Sequence, residues 1–170
     1  DFKKANAFRL LNRYADRLPS FNDDIQGTSA VTLAGILSSL RITGQPLREQ
    51  RFLLAGSGAA GVGIGRLLRT AMRADGLTDD EIRQRQVYID SAGLVWQGRS
   101  ELEEHKKEVA LRKDDMVALG LSTPPPATLE QIILAVRPTV LIGTTGQPGD
   151  FTPAAIRAMA KHCRRPIIFP

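Results

Sequence analysis

The chain has 170 residues, 42% of them hydrophobic and 24% charged, the make-up of one folded domain, which excludes a disordered tail and a collagen-like repeat. Lys and Arg outnumber Asp and Glu by 23 to 18, a net charge of +5, yet aromatic residues reach only 5%; that is poor material for stacking on bases, so no nucleic-acid partner is expected. No apolar run approaches the roughly 18 residues a membrane helix needs, and Cys163 is the only cysteine, which excludes an internal disulfide and fits a cytoplasmic location.

In chain order, Phe8, Leu11, Ala15 and Leu18 recur at three- and four-residue spacing and predict a helical face that Pro19 ends. Val31, Ala34, Leu37 and Leu40 predict one side of a second helix over 28–40, with Gly44 as its breaker. Residues 52–55 form a short apolar run followed at once by glycines, which reads as a strand, and a helix is predicted over 59–74 with Gly76 beyond it. Thr78-Asp79-Asp80-Glu81 is a capping box for a short polar helix, and 87–90 is the second strand. Residues 101–116 read as one charged helix, and the prolines in 122–126 break the chain. Thr128 to Gln131 opens another capped helix that Pro138 closes, 139–142 is the third strand, and 143–149 is a Gly-rich loop. Thr152-Pro153 starts the last helix, and 167–169 is a fourth strand.

Strands alternating with helices predict an α/β fold, a Rossmann-like parallel sheet with helices on both faces, preceded by two helices. The division expected is a helical segment over 1–44 and a nucleotide-binding domain over 45–170. The latter ends on a strand and is expected to be incomplete at its C-terminus.

Gly56-Ser57-Gly58-Ala59-Ala60-Gly61 follows the first strand directly and opens a helix, the context in which this glycine spacing carries a mechanism. Gly56 suits the tight turn, Gly58 the approach of a pyrophosphate to the backbone, and Gly61 close packing of helix on strand, while the free amides of the helix start face the phosphates. Asp90, at the end of the second strand, is the candidate for the ribose hydroxyls. The acidic residues nearer the usual spacing, Asp79 to Glu81, fall in the polar helix. Gly143, Thr144, Thr145 and Gly146 follow the third strand and are expected to line the same crevice.

Phe21-Asn22-Asp23-Asp24-Ile25-Gln26-Gly27-Thr28 sets two carboxylates ahead of an apolar helix. They suit an N-terminal cap with favourable charge at the helix dipole, or a hard cation held by one while the other orients a base, and spacing does not choose. This stretch resembles the FNDDIQGT motif of the malic enzymes. Asp1-Phe2 with Asn6 to Leu11, Gly56 to Gly61, Asp90 with Gly93-Leu94-Val95, Leu141-Ile142-Gly143 and Arg165 to Phe169 follow in the family's order. The wording is similar to the long, eukaryote-like branch.

The resemblance implies oxidative decarboxylation of L-malate to pyruvate and CO2 with NAD or NADP and Mg2+ or Mn2+, in a homo-oligomer. It implies Asp24 and Asp1 as metal ligands, and Asp23 as a catalytic-site residue that helps hold the general-base lysine. The family's tyrosine acid and lysine base have no counterpart among these residues, and Tyr14 and Tyr88 fit neither role, so the isolated chain is expected to be inactive. By that resemblance the lysine that accompanies NADP preference, in the helix after the second strand, falls on Lys107, and Ser91 fits the NADP-type pattern; this favours NADP over NAD, because a cation would offset the carboxylate beside a 2′-phosphate. The alternatives are malolactic enzyme, which releases lactate, and a non-catalytic dinucleotide-binding module. His105 and His162 stand alone in the sequence and are expected at the surface, and Arg66, Arg69 and Arg73 read as a solvated helix face.

Overall fold

The computed structural model describes residues 5–126 and 128–170. Helix α1 (Ala5–Tyr14) leads to a one-turn π-helical segment, Asp23–Gly27, and then to α2 (Thr28–Thr43). Strand β1 (Phe52–Ala55), α3 (Ala59–Ala74), α4 (Asp79–Arg83) and β2 (Gln86–Asp90) follow, then a two-residue strand, β3 (Gly93–Leu94). Two short helices, α5 (Glu104–Lys107) and α6 (Lys113–Ala118), precede α7 (Leu129–Val136), β4 (Val140–Gly143), α8 (Pro153–His162) and β5 (Ile167–Phe169).

The sheet order is β3-β2-β1-β4-β5. The β1–β2, β1–β4 and β4–β5 pairs are parallel, and β3 adds antiparallel to the edge of β2. The Rossmann-like α/β reading therefore holds, with a fifth strand beyond the four predicted. That strand is too short to show a period: the chain reverses at Ser91-Ala92, and Gly93, at φ 92°, pairs back on Asp90.

Alternating residues of the central strands face opposite sides. Phe52, Leu54, Tyr88 and Val140 pack with Val62, Ile64, Leu68 and Met72 of α3, Ile36 and Leu40 of α2, and Ala7 and Phe8 of α1. Leu53, Val87 and Leu141 pack on the other side with Met116, Ile132, Ile133, Val136 and Met159. Burial on both sides explains the uninterrupted apolar run Phe52 to Ala55.

Three local expectations are corrected. In α1 the buried residues are Ala7 and Phe8, whereas Ala15 lies past the helix end and Leu18 is 58% exposed. In α2 the core side is Ser29, Ile36 and Leu40, and Val31 and Leu37 face outward. That helix is apolar nearly all round, so its spacing did not single out one face. The charged stretch 101–116 is two helices, because Val109, Ala110 and Leu111 are buried. Leu111 joins the sheet side through Leu111 N–H to Val95 O (3.1 Å) and Gln97 N–H to Leu111 O (2.9 Å). The cap that restarts the helix is Asp115, whose carboxylate accepts from Arg112 N–H at 3.0 Å.

Candidate functional site

Strand β1 pairs with β2 on one side and β4 on the other. The chain leaves β1 through α3 toward β2, so the strand order reverses between β1 and β4, where ligands of open parallel sheets bind at the carboxyl ends. A cleft of about 740 Å³ opens there, lined by Gly56, Ser57, Gly58, Asp90, His105 and Thr144 among others. A second cavity of about 1110 Å³ continues past Asp90, Ser91, Glu103 and Lys106 toward Arg99 and Lys107.

The glycines of the loop divide by what a side chain would meet. Gly56 has φ 123°, and a Cβ there would collide with Thr144. A Cβ on Gly61 would run into the carbonyl of Gly56, and Gly63 and Gly65 lie against the Ile25 carbonyl and the Tyr88 hydroxyl in the same way. These four are required by packing. Gly58 is different: its φ is −81°, and among the described residues nothing lies within 4 Å of where its Cβ would be. The fold has no need of a bare residue there, while a ligand approaching the backbone does. Gly58 also begins α3 without any side-chain cap, so the first-turn amides of Ala59, Ala60 and Gly61 lack a side-chain capping oxygen.

Thr144 closes the loop from the β4 side. Its N–H donates to Ala55 O at 2.7 Å and its hydroxyl to Gly56 O at 3.2 Å. Thr145 donates to Asp150 at 2.6 Å, and Gly146 takes φ 66° in the turn that follows. Gly143, the last residue of β4, packs under Phe151.

Asp90 is the electrostatic centre. Both carboxylate oxygens lie 3.0 Å from Arg99 Nη1, Oδ2 is 2.9 Å from Lys106 Nζ, Oδ1 accepts from Ala92 N–H at 2.9 Å, and the Ser57 hydroxyl reaches Oδ2 at 3.3 Å. Burial pushes the Asp90 carboxyl upward, but the hydrogen bonds from Lys106 and Arg99 outweigh it, and the group titrates below its ordinary value. Lys107, expected near a 2′-phosphate, pairs with Glu104 at 2.7 Å on an exposed face and lines the outer cavity with Ser91. Lys106 and Arg99 escaped the sequence reading because the antiparallel β3 turn, which returns Arg99 to Asp90, has no periodic signature.

His105 is likewise corrected from surface to interior: it is 7% exposed and its ring stacks on Phe8 of α1 at 5.5 Å between centroids. His162 is half-buried, with Nε2 3.0 Å from Pro138 O. Arg66 pairs with Glu108 at 2.7 Å, Arg69 donates to the Glu108 carbonyl at 3.4 Å and Arg73 pairs with Asp79 at 2.6 Å, so all three arginines expected to be merely solvated hold neighbouring elements.

The acidic motif is a compact turn. Asn22, not either aspartate, is its cap, accepting from Ile25 N–H at 3.0 Å, and Ile25 is buried. Asp23 and Asp24 are exposed, and neither lines the cleft or the outer cavity. Among the described residues no three His, Cys, Asp or Glu side chains gather as a metal-holding group. The carboxylate of Asp24 is of the hard kind that suits Mg2+ or Mn2+, but these residues alone do not complete a site. Asp1 lies outside the described residues.

Residues 25–170 match the family model described as malic enzyme, NAD binding domain. The chain belongs to the malic enzyme family. It is 44% identical over 170 residues to an NAD-dependent malic enzyme of Schizosaccharomyces pombe and 41% identical over 169 residues to an NADP-dependent malic enzyme of Rattus norvegicus. It is also 39% identical over 170 residues to a malolactic enzyme of Lactiplantibacillus plantarum. These alignments take in 99–100% of this chain but only 28–30% of each relative. The chain thus spans under a third of the length of the curated relatives it matches. The fold superposes on a malic enzyme of Entamoeba histolytica with a TM-score of 0.75 at 24% identity, covering 99% of this chain and 32% of that one.

Proposed function

We propose that this chain is the part of a malic enzyme that binds the nicotinamide dinucleotide for oxidative decarboxylation of L-malate to pyruvate and CO2. The observation that carries the cofactor reading is Gly58, bare where the fold does not require it, beside uncapped amides at the start of a 16-residue helix. A diphosphate laid there would accept from those amides, and the adenosine ribose would lie toward Asp90. A nicotinamide held there would supply the acceptor for the hydride that leaves malate. This chain's part is to grip the diphosphate on Gly56 to Gly61, fix the ribose at Asp90 and close the cleft with Thr144 and Thr145.

NADP is the favoured cofactor. Asp90 alone would repel a 2′-phosphate, but Arg99 and Lys106 set two cations against its one carboxylate, and both border the outer cavity. Asp24 is proposed as one carboxylate of a divalent-metal site that needs further ligands, and Asp23 as a residue that positions the catalytic base. The described part of the chain supplies no hydroxyl suited to general acid work at the cleft. Tyr88 is fully buried with its hydroxyl on Gln86, and burial pushes its phenol well above the ordinary value.

Product analysis of the full-length protein that carries this chain tests the reading. Pyruvate, CO2 and NAD(P)H formed from L-malate support it, and lactate formed without net cofactor reduction would favour the malolactic alternative, which the Lactiplantibacillus relative keeps in view. Turnover of malate by the 170-residue chain alone would contradict the division of labour proposed here.

A further inference from the structure

His105 lines the cleft and has no part in the reading above. Its side chain is 5% exposed, and neither ring nitrogen has a hydrogen bond of good geometry among the described residues: Nε2 lies 3.5 Å from Glu103 Oε2, and the ring sits beside the Ser57 backbone, which favours its charged form. A buried ring N–H left without a good partner costs about 1–3 kcal/mol. The ring nevertheless has a fixed place. It stacks on Phe8 at 23° between planes, and Arg66, itself paired with Glu108, lies 4.6 Å over that Phe8 ring. It lines the same cleft as Gly56, Ser57 and Gly58, next to the uncapped start of α3.

We propose that His105 is a further cofactor-contacting residue, whose ring N–H donates to the diphosphate of a dinucleotide held on the Gly56–Gly61 loop, and that the imidazole takes up a proton from solvent as the dinucleotide binds. This deepens the cofactor reading and rests on it. The charge balance around the ring suits such coupling. Burial dominates and lowers the ring's tendency to protonate; Glu103, a hydrogen bond with the Ser57 backbone and Glu108 oppose that, and Lys106 adds to it. From α1 the ring meets the uncharged Phe8, and Asp90 is occupied by Lys106 and Arg99. Protonation of the ring is therefore held below the ordinary imidazole range. A diphosphate alongside adds negative charge and an acceptor, both of which favour the imidazolium.

The test is calorimetric titration of NAD, which carries no 2′-phosphate to titrate, into the chain in buffers of different ionisation enthalpy. A fractional proton should be taken up per NAD bound at about pH 7, and affinity should be about threefold to tenfold tighter at about pH 6 than at about pH 8. His105→Gln should still bind NAD, several-fold more weakly, with the proton uptake gone. The imidazole nitrogen shifts of His105 in the unsubstituted chain give a reading that needs no variant: saturation with NAD should move them toward imidazolium values. NAD binding without proton uptake, or with the same uptake in His105→Gln, would overturn the role of His105 while leaving the cofactor reading intact. Absence of NAD binding to the unsubstituted chain would overturn both.

Discussion

The cofactor cleft and the acidic turn both carry motifs that stand out in the sequence, and they are built in opposite ways. At the cleft, two strand ends, a helix start and a returning edge strand converge on Asp90 and Gly58, so each polar group there acts against residues from elsewhere in the chain. At the acidic turn the hydrogen bonds that hold the shape are local, Asn22 with Ile25, the Asn22 N–H with the Gln26 side chain, and the Thr28 N–H with the Asp23 carbonyl, while the buried Ile25 anchors the turn on the core. Its carboxylates face solvent. A site that is already assembled and one that offers two carboxylates without a gathered ligand set should answer substitution differently.

The largest difference is expected from Gly61→Ala. Its Cβ meets backbone rather than a movable side chain, so the variant should lose at least about 2 kcal/mol, a fall in Tm of about 4–8 °C, together with nucleotide binding. Thermal unfolding beside a binding titration checks both.

Asp90→Asn comes next. It leaves Arg99 and Lys106, each under a fifth exposed, without their carboxylate, and should cost about 1–3 kcal/mol. Because the folded-state pKa of Asp90 is depressed, its contribution is fully present above its unfolded value of about 4 and is lost as pH falls through the folded value. Stability measured by denaturant between about pH 5 and about pH 2 should therefore fall less steeply in Asp90→Asn than in the unsubstituted chain.

Lys106→Gln should weaken NADP about tenfold while changing NAD little, and Lys107→Gln should change neither, since its ammonium is engaged with Glu104 on an exposed face. Equal losses for the two lysines would break the assignment. The smallest effect belongs to the acidic turn. Asp23→Asn and Asp24→Asn should each shift the stability of the chain by less than about 0.5 kcal/mol and leave NAD affinity unchanged, because neither side chain lines the cleft.

The parts of this picture that were legible in the sequence are those governed by local rules. The run Phe52 to Ala55, the glycines after it, the capping boxes at Thr78 and Thr128 and the Gly44 terminator are all found where spacing places them. What escaped depends on tertiary position. Arg99 and Lys106 reach Asp90 only because Gly93 turns the chain back onto β2, and His105 is buried only because Phe8, nearly a hundred residues earlier, covers it. The buried side of α2 was misread since both of its sides carry apolar residues, and packing against α3 decided between them.

The central claim is that a dinucleotide occupies the space beside Gly58. Calorimetric titration of NAD and NADP into the chain and into Gly58→Ala tests it most directly, since that substitution meets no neighbouring atom among the described residues at an allowed backbone angle. Unfolding should change by less than about 1 kcal/mol, while affinity for both nucleotides should fall by about tenfold or more. Unchanged affinity in a folded Gly58→Ala chain would contradict the account.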